Sequence, residues 1–581
     1  MTERWSAGIV ALALTACASS PRPVGPVTRA ATRAATPAAV DEAARAYVEL
    51  VCELSPETAT VLGRHERDHD LDDRTPDGFA RGLGREEAML RDLHARFDGA
   101  ALSPAARTDV RILMGALAAD LAQKRATDPL RTRPSSYLDP LTAIFMMTAR
   151  EYAPAGDRAR GVLARLEKIP AVVAAAKANL TNPPRISTEI GIEMAGGAGA
   201  FFDEQRAPLV AALPGETARI ERALAGAKAA YEGFATHLRD VVLPRSNGVF
   251  AAGAPLFDTL LRESYFLEDG HAAVLADGRR IYDATRAEMD RLAKKIDPAA
   301  PGWPAVVQRL KGNHPSADEL LPSYRREVSR ARAFLVAKDV VPFPEGDQCD
   351  VVETPAFQRA TTTAAYDQPP PFDPSTKGLF FVTPPPTDAT VADREAMLRE
   401  HDHGDQVDTA VHEVYPGHHL QLSFARHNPS LVRKVLAPNI SVEGWALYSE
   451  ELMAELGYYT DEERMMQLAW TLVRAARVII DVGLHTGGMP FEEAVRMLVD
   501  EVHLERPLAL SEARRYTETP TQPLAYLIGR EQIRALREKR RAAEGASFSL
   551  RRFHEEVLLR GAIPPALLGA ELAAERGSLR Q

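Results

Sequence analysis

Pro416-Gly417 interrupts what would otherwise be one histidine-bearing helix, and the interruption decides how the surrounding segment can fold. The stretch Thr409-Ala410-Val411-His412-Glu413-Val414-Tyr415-Pro416-Gly417-His418-His419-Leu420-Gln421 carries imidazoles that can ligate a metal and a carboxylate that can take a proton from water. In an H-E-x-x-H helix the two histidines share a face at i and i+4, but here position 416 is Pro. On a straight helix turning ~100° per residue, His418 lies ~120° off the face of His412. His419 returns to that face two turns on, ~10 Å along the axis, too far to share one ion. Pro416 cannot donate to the carbonyl of His412, and its ring clashes there. Gly417 tolerates dihedrals that other residues avoid. A kink or bulge at this dipeptide swings a following histidine back toward the metal, and the residues alone leave both His418 and His419 open.

The rest of the chain favours helices. Aromatic residues are 6% of 581, and Ala, Leu, Glu and Arg dominate, a mixture that prefers helix to sheet. Apolar residues at Ala44, Tyr47, Val48 and Val51 repeat at helical spacing behind Asp41 as N-cap. Further helices are expected over about 84–97, 105–123, 157–179, 214–240, 271–296 and 316–338, separated by breakers such as Asn182-Pro183-Pro184 and Ala195-Gly196-Gly197. The Pro-rich stretch from about 340 to 390 holds two β-like runs, Cys349 to Val352 and Gly378 to Val382, which read as a small sheet or a loop-rich connector. A sheet edge there would accept an extended peptide as an added strand. The expected fold class is therefore mainly α with a small β-sheet element. A net charge of -10 argues against nucleic acid as a partner, since phosphate binding needs a basic surface.

The N-terminus carries an apolar run, Ala7 to Ala16, too short to span a bilayer and of the length of a signal-peptide core. Leu14-Thr15-Ala16-Cys17 resembles a bacterial lipobox. Residues 1–16 are thus expected to be a lipoprotein signal peptide, with Cys17 as the lipidated residue that anchors the protein to a membrane. Residues 17–39, rich in Ala, Pro, Thr and Ser, read as a flexible tether, and 40–581 as the folded hydrolase domain. Cys52 and Cys349 are two distant cysteines, which do not define a disulfide framework.

A third ligand is expected from a following helix, and Ser441-Val442-Glu443-Gly444-Trp445-Ala446-Leu447-Tyr448-Ser449-Glu450 is the candidate, with Ser441 as its cap. His401, His403 and Asp405, just upstream of the motif, are candidates for the cleft rim.

The H-E-x-x-P-G-H pattern of 412–418 resembles the signature of the domain of unknown function 885 family, a bacterial group related to zincin-type metallopeptidases. That resemblance selects His418 over His419. Family members carry a run similar to Glu443-Gly444-Trp445-Ala446-Leu447-Tyr448-Ser449-Glu450, and the separation of His418 from Glu443 is similar to that in gluzincin peptidases. Together these imply His412, His418 and Glu443 as ligands of one zinc ion, Glu413 as general base and Glu450 behind the ligands. Arg477, Asp481 and His485 lie in a run resembling the family's R-x-x-x-D-x-G-x-H. There Asp481 is expected to orient a ligand imidazole and His485 to donate to an oxyanion. Tyr516 and Tyr526 lie in a run resembling R-Y…P-x-Q-x-x-x-Y-x-x-G and are candidates to stabilise a tetrahedral intermediate. The resemblance implies a zincin-like fold with two helical lobes and a deep channel, acting on a peptide or a small amide. It also implies a bacterial envelope lipoprotein, periplasmic or at the surface. The competing reading is a non-catalytic envelope lipoprotein that binds peptides or envelope material.

Overall fold

The computed structural model describes residues 37–355, 359, 362–387 and 389–579. The signal peptide and Cys17 lie outside the described residues. The described chain is mainly helical, with one three-stranded sheet. No helix among the described residues is long and apolar enough to cross a membrane.

The expected helices are present, most of them longer than their apolar pattern. They include Pro76–Phe97, Pro104–Thr127, Ala155–Asn179, Thr217–His237, Gly270–Ile296 and Leu320–Lys338. The first helix, Pro37–Leu54, starts before Asp41, so Asp41 lies inside the helix and is not its cap. Ala195-Gly196-Gly197 does not break the chain either: it runs through the middle of Arg185–Ala212. Ala195, Ala198, Phe201 and Phe202 of that helix are buried, while both glycines face open space. Burying two phenylalanines gains several kcal/mol, at ~1.5–3 kcal/mol each, which outweighs the ~1 kcal/mol helical cost of a glycine.

The sheet has the order β1-β3-β2. The expected strands are β1 (Cys349–Glu353) and β3 (Gly378–Val382), paired in parallel. An additional strand, β2 (Ala364–Asp367), pairs antiparallel with β3 and forms one edge of the sheet. Its four half-buried residues have no alternation to announce a strand.

The helix that carries Glu443, Asn439–Glu455, lies between the two apolar cores that hold the C-terminal half together. Ile440 and Leu447 pack into one core; Trp445, Tyr448, Leu452 and Met453 pack into the other. A helix buried on every side has no polar face. It crosses Gln522–Glu544 at two glycines. A Cβ on Gly444 would lie 2.6 Å from Gly529 Cα, and one on Gly529 would lie 2.1 Å from the carbonyl oxygen of Ile440. Only a Gly-on-Gly crossing lets these two helices approach so closely, and their first turns carry Glu443 and Tyr526 into the same site.

Candidate metal centre

The helix His403–Glu413 stops at the interruption seen in the sequence, and a second helix, His418–Arg426, starts after it. The Tyr415–Pro416 peptide is cis. The N–H of Gly417 donates to the Val411 carbonyl at 3.0 Å, six residues back instead of four, so the chain doubles toward the end of the first helix. Position 417 has to be glycine, because a Cβ there would sit 1.7 Å from the His412 carbonyl oxygen. Trp445 holds the turn from outside, its indole N–H donating to the Pro416 carbonyl at 2.7 Å. The two conspicuous sequence runs are thus one structural unit: the tryptophan of the second clamps the break in the first.

The break brings the His412 and His418 rings to 4.7 Å between centroids, at 88° to each other. His419 points elsewhere. It is fully buried, with Nε2 at 2.6 Å from Asp347 Oδ1 and Nδ1 at 3.0 Å from the Tyr366 hydroxyl. Both its nitrogens are occupied, which agrees with the choice of His418.

Glu443 Oε2 lies 3.3 Å from His418 Nε2 and 3.7 Å from His412 Nε2, and it is buried without a hydrogen-bond partner. Tetrahedral zinc ligands, each ~2.0–2.1 Å from the metal, stand ~3.3–3.4 Å apart, so these three atoms fit the edges of such a site. His412, Glu413 and His418 also form a cluster of their own, each offering a ligand atom within 4.8 Å of the others. Glu413 Oε2 accepts the N–H of Tyr366, on the outer edge of β2, at 2.8 Å. One carboxylate oxygen of Glu413 is therefore held by backbone.

Burial works against charge on His412, but the carboxylates of Glu443 and Glu450 outweigh it and push this imidazole up to about 10. Burial likewise opposes ionisation of Glu443, yet His412 and His418 hold it well below the usual carboxylate range. Behind His412, Glu450 is fully buried, and its Oε1 accepts the Nδ1–H of His412 at 2.6 Å. That bond fixes the ring so that Nε2 faces Glu443 and His418. Gln467 donates to the other Glu450 oxygen at 3.3 Å.

The family described as "Bacterial protein of unknown function (DUF885)" matches residues 56–572. The chain belongs to that family. Two solved structures share its fold. One is a candidate lipoprotein of unknown function from Shewanella oneidensis, 24% identical, with a TM-score of 0.76 over 92% of this chain and 99% of that one. The other is a candidate lipoprotein from Colwellia psychrerythraea, 17% identical, with a TM-score of 0.77 over 93% of this chain and 100% of that one. Among curated proteins nothing matches.

The remaining motif residues of this DUF885 domain divide between site and scaffold. Tyr526 is at the site: its ring stacks on His412, 6.2 Å between centroids and 20° from parallel. The Arg477 guanidinium lies 4.8 Å from the centre of the same ring. Arg477 also pairs with Glu512 at 2.7 Å and donates to the Tyr516 hydroxyl at 3.0 Å. Tyr516 is fully buried and donates to Glu512, so its hydroxyl is tied up one layer behind Tyr526.

Asp481 does not orient a ligand imidazole. Its Oδ1 accepts the Thr521 N–H at 3.3 Å, at the start of helix 522–544, and the orienting carboxylate is Glu450. His485 has no N–H left for an oxyanion. Its Nε2–H donates to the Tyr516 carbonyl at 2.9 Å, and its Nδ1 accepts from Ala252 N–H at 3.2 Å. Ser441 is not the cap of its helix; Pro438 is. His401 is buried against Tyr324 and the Thr383 carbonyl, and Asp405 accepts from Trp470 and lines a small separate pocket with it. Sequence reasoning missed Trp445 as a clamp and the Asp347–His419–Tyr366 chain that seats β2 beside Glu413. The residue pattern offered no signal for the latter, since its members are up to 72 residues apart and lie on a loop, a strand and a helix.

Proposed function

We propose that the protein is a zinc-dependent hydrolase, most simply a peptidase, with His412, His418 and Glu443 as metal ligands and Glu413 as general base. The observation that carries this reading is the unpartnered, buried Glu443 Oε2 at tetrahedral-edge distance from two imidazole nitrogens, with a second carboxylate alongside. Two imidazoles and a carboxylate suit zinc. When bound, zinc lowers the pKa of a water toward ~7 and acts as a Lewis acid. Glu413, held at one oxygen by the Tyr366 N–H, accepts the proton of the attacking water with the other and passes it to the leaving amine. The Tyr526 hydroxyl donates to the oxygen on which charge develops, and Arg477 lies against the same ring. Substrate reaches the site along the edge of β2, in the channel expected of a zincin-like fold.

The apolar run ending at Cys17, with the description of the solved relatives as candidate lipoproteins, supports a lipid-anchored protein of the bacterial envelope, in the periplasm or at the surface.

One observation favours a second reading. The Glu413 carboxylate is close enough to both imidazoles to serve as a fourth ligand, and a closed four-ligand site is structural; the protein would then bind peptides or envelope material without cutting them. The mature domain and its Glu413→Gln variant decide between the two. The hydrolase reading expects about one zinc in each, with cleavage of a mixed peptide library by the wild type alone. Loss of zinc from Glu413→Gln would favour the structural site. Zinc retained in both with no cleavage of peptides would move the reaction to a non-peptide amide, and full activity of Glu413→Gln would refute the assignment of the base.

A further inference from the structure

A cavity of about 460 Å³ is lined in part by Asn439 and Gln522, each four residues before a residue of the candidate site, Glu443 and Tyr526, on the same helix. It is enclosed by helices 104–127 and Ala254–Tyr265 on one side and by the first turns of helices 439–455 and 522–544 on the other. Ile112, Ala116, Ala119, Leu260 and Phe266 give it an apolar floor, flanked by Asp120 and Gln123 on the same helix as the alanines, and Asn439, Thr521 and Gln522 belong to its polar rim. Asp120 pairs with Lys124 at 2.6 Å; Glu518 lies 3.5 Å from Arg133 through one oxygen, and its other oxygen is buried without a hydrogen-bond partner. A cavity of this size, with a lining more apolar than polar, has the makeup of a ligand pocket.

The polar rim is continuous with the candidate site. Asn439 is one helical turn before Glu443, ~6 Å along the axis. Gln522, on the rim, donates to the Tyr526 hydroxyl at 3.4 Å. A substrate seated at the metal centre thus has the cavity within one residue's reach.

We propose that this cavity is the specificity pocket of the metal centre and that it takes a large apolar side chain of a peptide, whose backbone meets the polar rim. The proposal rests on the hydrolase reading for its substrate class, and it is tested by binding so that the two can fail separately. The probe is a set of N-acetylated, C-amidated hexapeptides carrying Phe, Leu, Gly or Glu at each position in turn. Binding is measured to zinc-loaded Glu413→Gln protein, alone and combined with Ala116→Phe, which fills the floor. The expected result is a tenfold or greater preference for Phe or Leu over Gly and Glu at one position, reduced to within twofold by Ala116→Phe, with zinc content and melting temperature unchanged. If Ala116→Phe does not fold, Leu260→Ala replaces it, and the expected result is a preference moved toward Trp. A preference untouched by either variant, or no preference for apolar residues, would overturn the pocket. A pocket-dependent preference in a protein whose wild type cleaves none of the probes would uphold the pocket and refute the peptidase reading.

Discussion

Replacing Glu450 by Gln should change how zinc affinity depends on pH, and two opposing effects set the sign of the change. Glu450 is fully buried and accepts the Nδ1–H of His412 at 2.6 Å. Gln preserves the size and an acceptor oxygen but removes the charge. Partners of this kind contribute ~10–100-fold to metal affinity, or ~1.4–2.7 kcal/mol, by making the ligating nitrogen more basic. The same charge also helps to raise the metal-free imidazole to about 10, so in the wild type zinc must displace a proton from His412 at neutral pH. Wild-type affinity should therefore rise close to tenfold per pH unit up to about 10. In Glu450→Gln the proton is held less tightly, and the rise should level off at lower pH. The two proteins should differ least near neutrality and by ~10–100-fold as pH approaches the wild-type value of about 10. Competition with a chelator of known affinity, at a series of pH values, measures both curves. Wild-type affinity that is flat across this range, or a difference that does not widen with pH, would refute the reasoning.

Three further outcomes are expected. Trp445→Phe removes the donor to the Pro416 carbonyl and leaves that buried acceptor unpaired, which should cost ~1–3 kcal/mol in urea denaturation and weaken zinc binding, because His418 comes directly after the clamped turn. Tyr526→Phe should lower kcat ~10²–10³-fold at unchanged zinc content, whereas Tyr516→Phe, whose hydroxyl is tied to Glu512 and Arg477, should act mainly on stability; equal losses of kcat at unchanged stability would refute that division. In zinc-free protein, His412 has a folded pKa raised above its ordinary value, so its contribution is fully present below ~6.5 and is lost as pH rises through about 10. Urea midpoints of the zinc-free protein should fall over that window, and midpoints of zinc-loaded protein should not track them.

What the residues disclosed and what they withheld divide along one physical line. Signals carried by local sterics were legible: a proline that cannot donate, and a glycine that admits a carbonyl at 1.7 Å from its would-be Cβ. These act within a turn or two of chain, so the helices, two of the three strands and the bend after Glu413 could be anticipated. The partner of His412 could not be settled in the same way. Glu450 and Asp481 both stand on later helices, both are fully buried, and either was a suitable acceptor. The choice is made by how closely helix 439–455 can approach, which depends on Gly444 meeting Gly529 85 residues away, and by the demand for a buried acceptor at the start of helix 522–544, which Asp481 meets through Thr521. β2 was hidden for a similar reason. Its four residues hold no strand pattern, and what keeps them in place is pairing with β3 on one side and, on the other, His419 bonded to the Tyr366 hydroxyl and Glu413 bonded to the Tyr366 N–H. The histidine left over once His418 is taken as the ligand therefore has work of its own: together with Asp347 it seats the strand whose amide holds Glu413. The break at Pro416-Gly417 can be read from the residues because its sterics are local, whereas the groups that aim the two imidazoles come from any element that packing brings within reach.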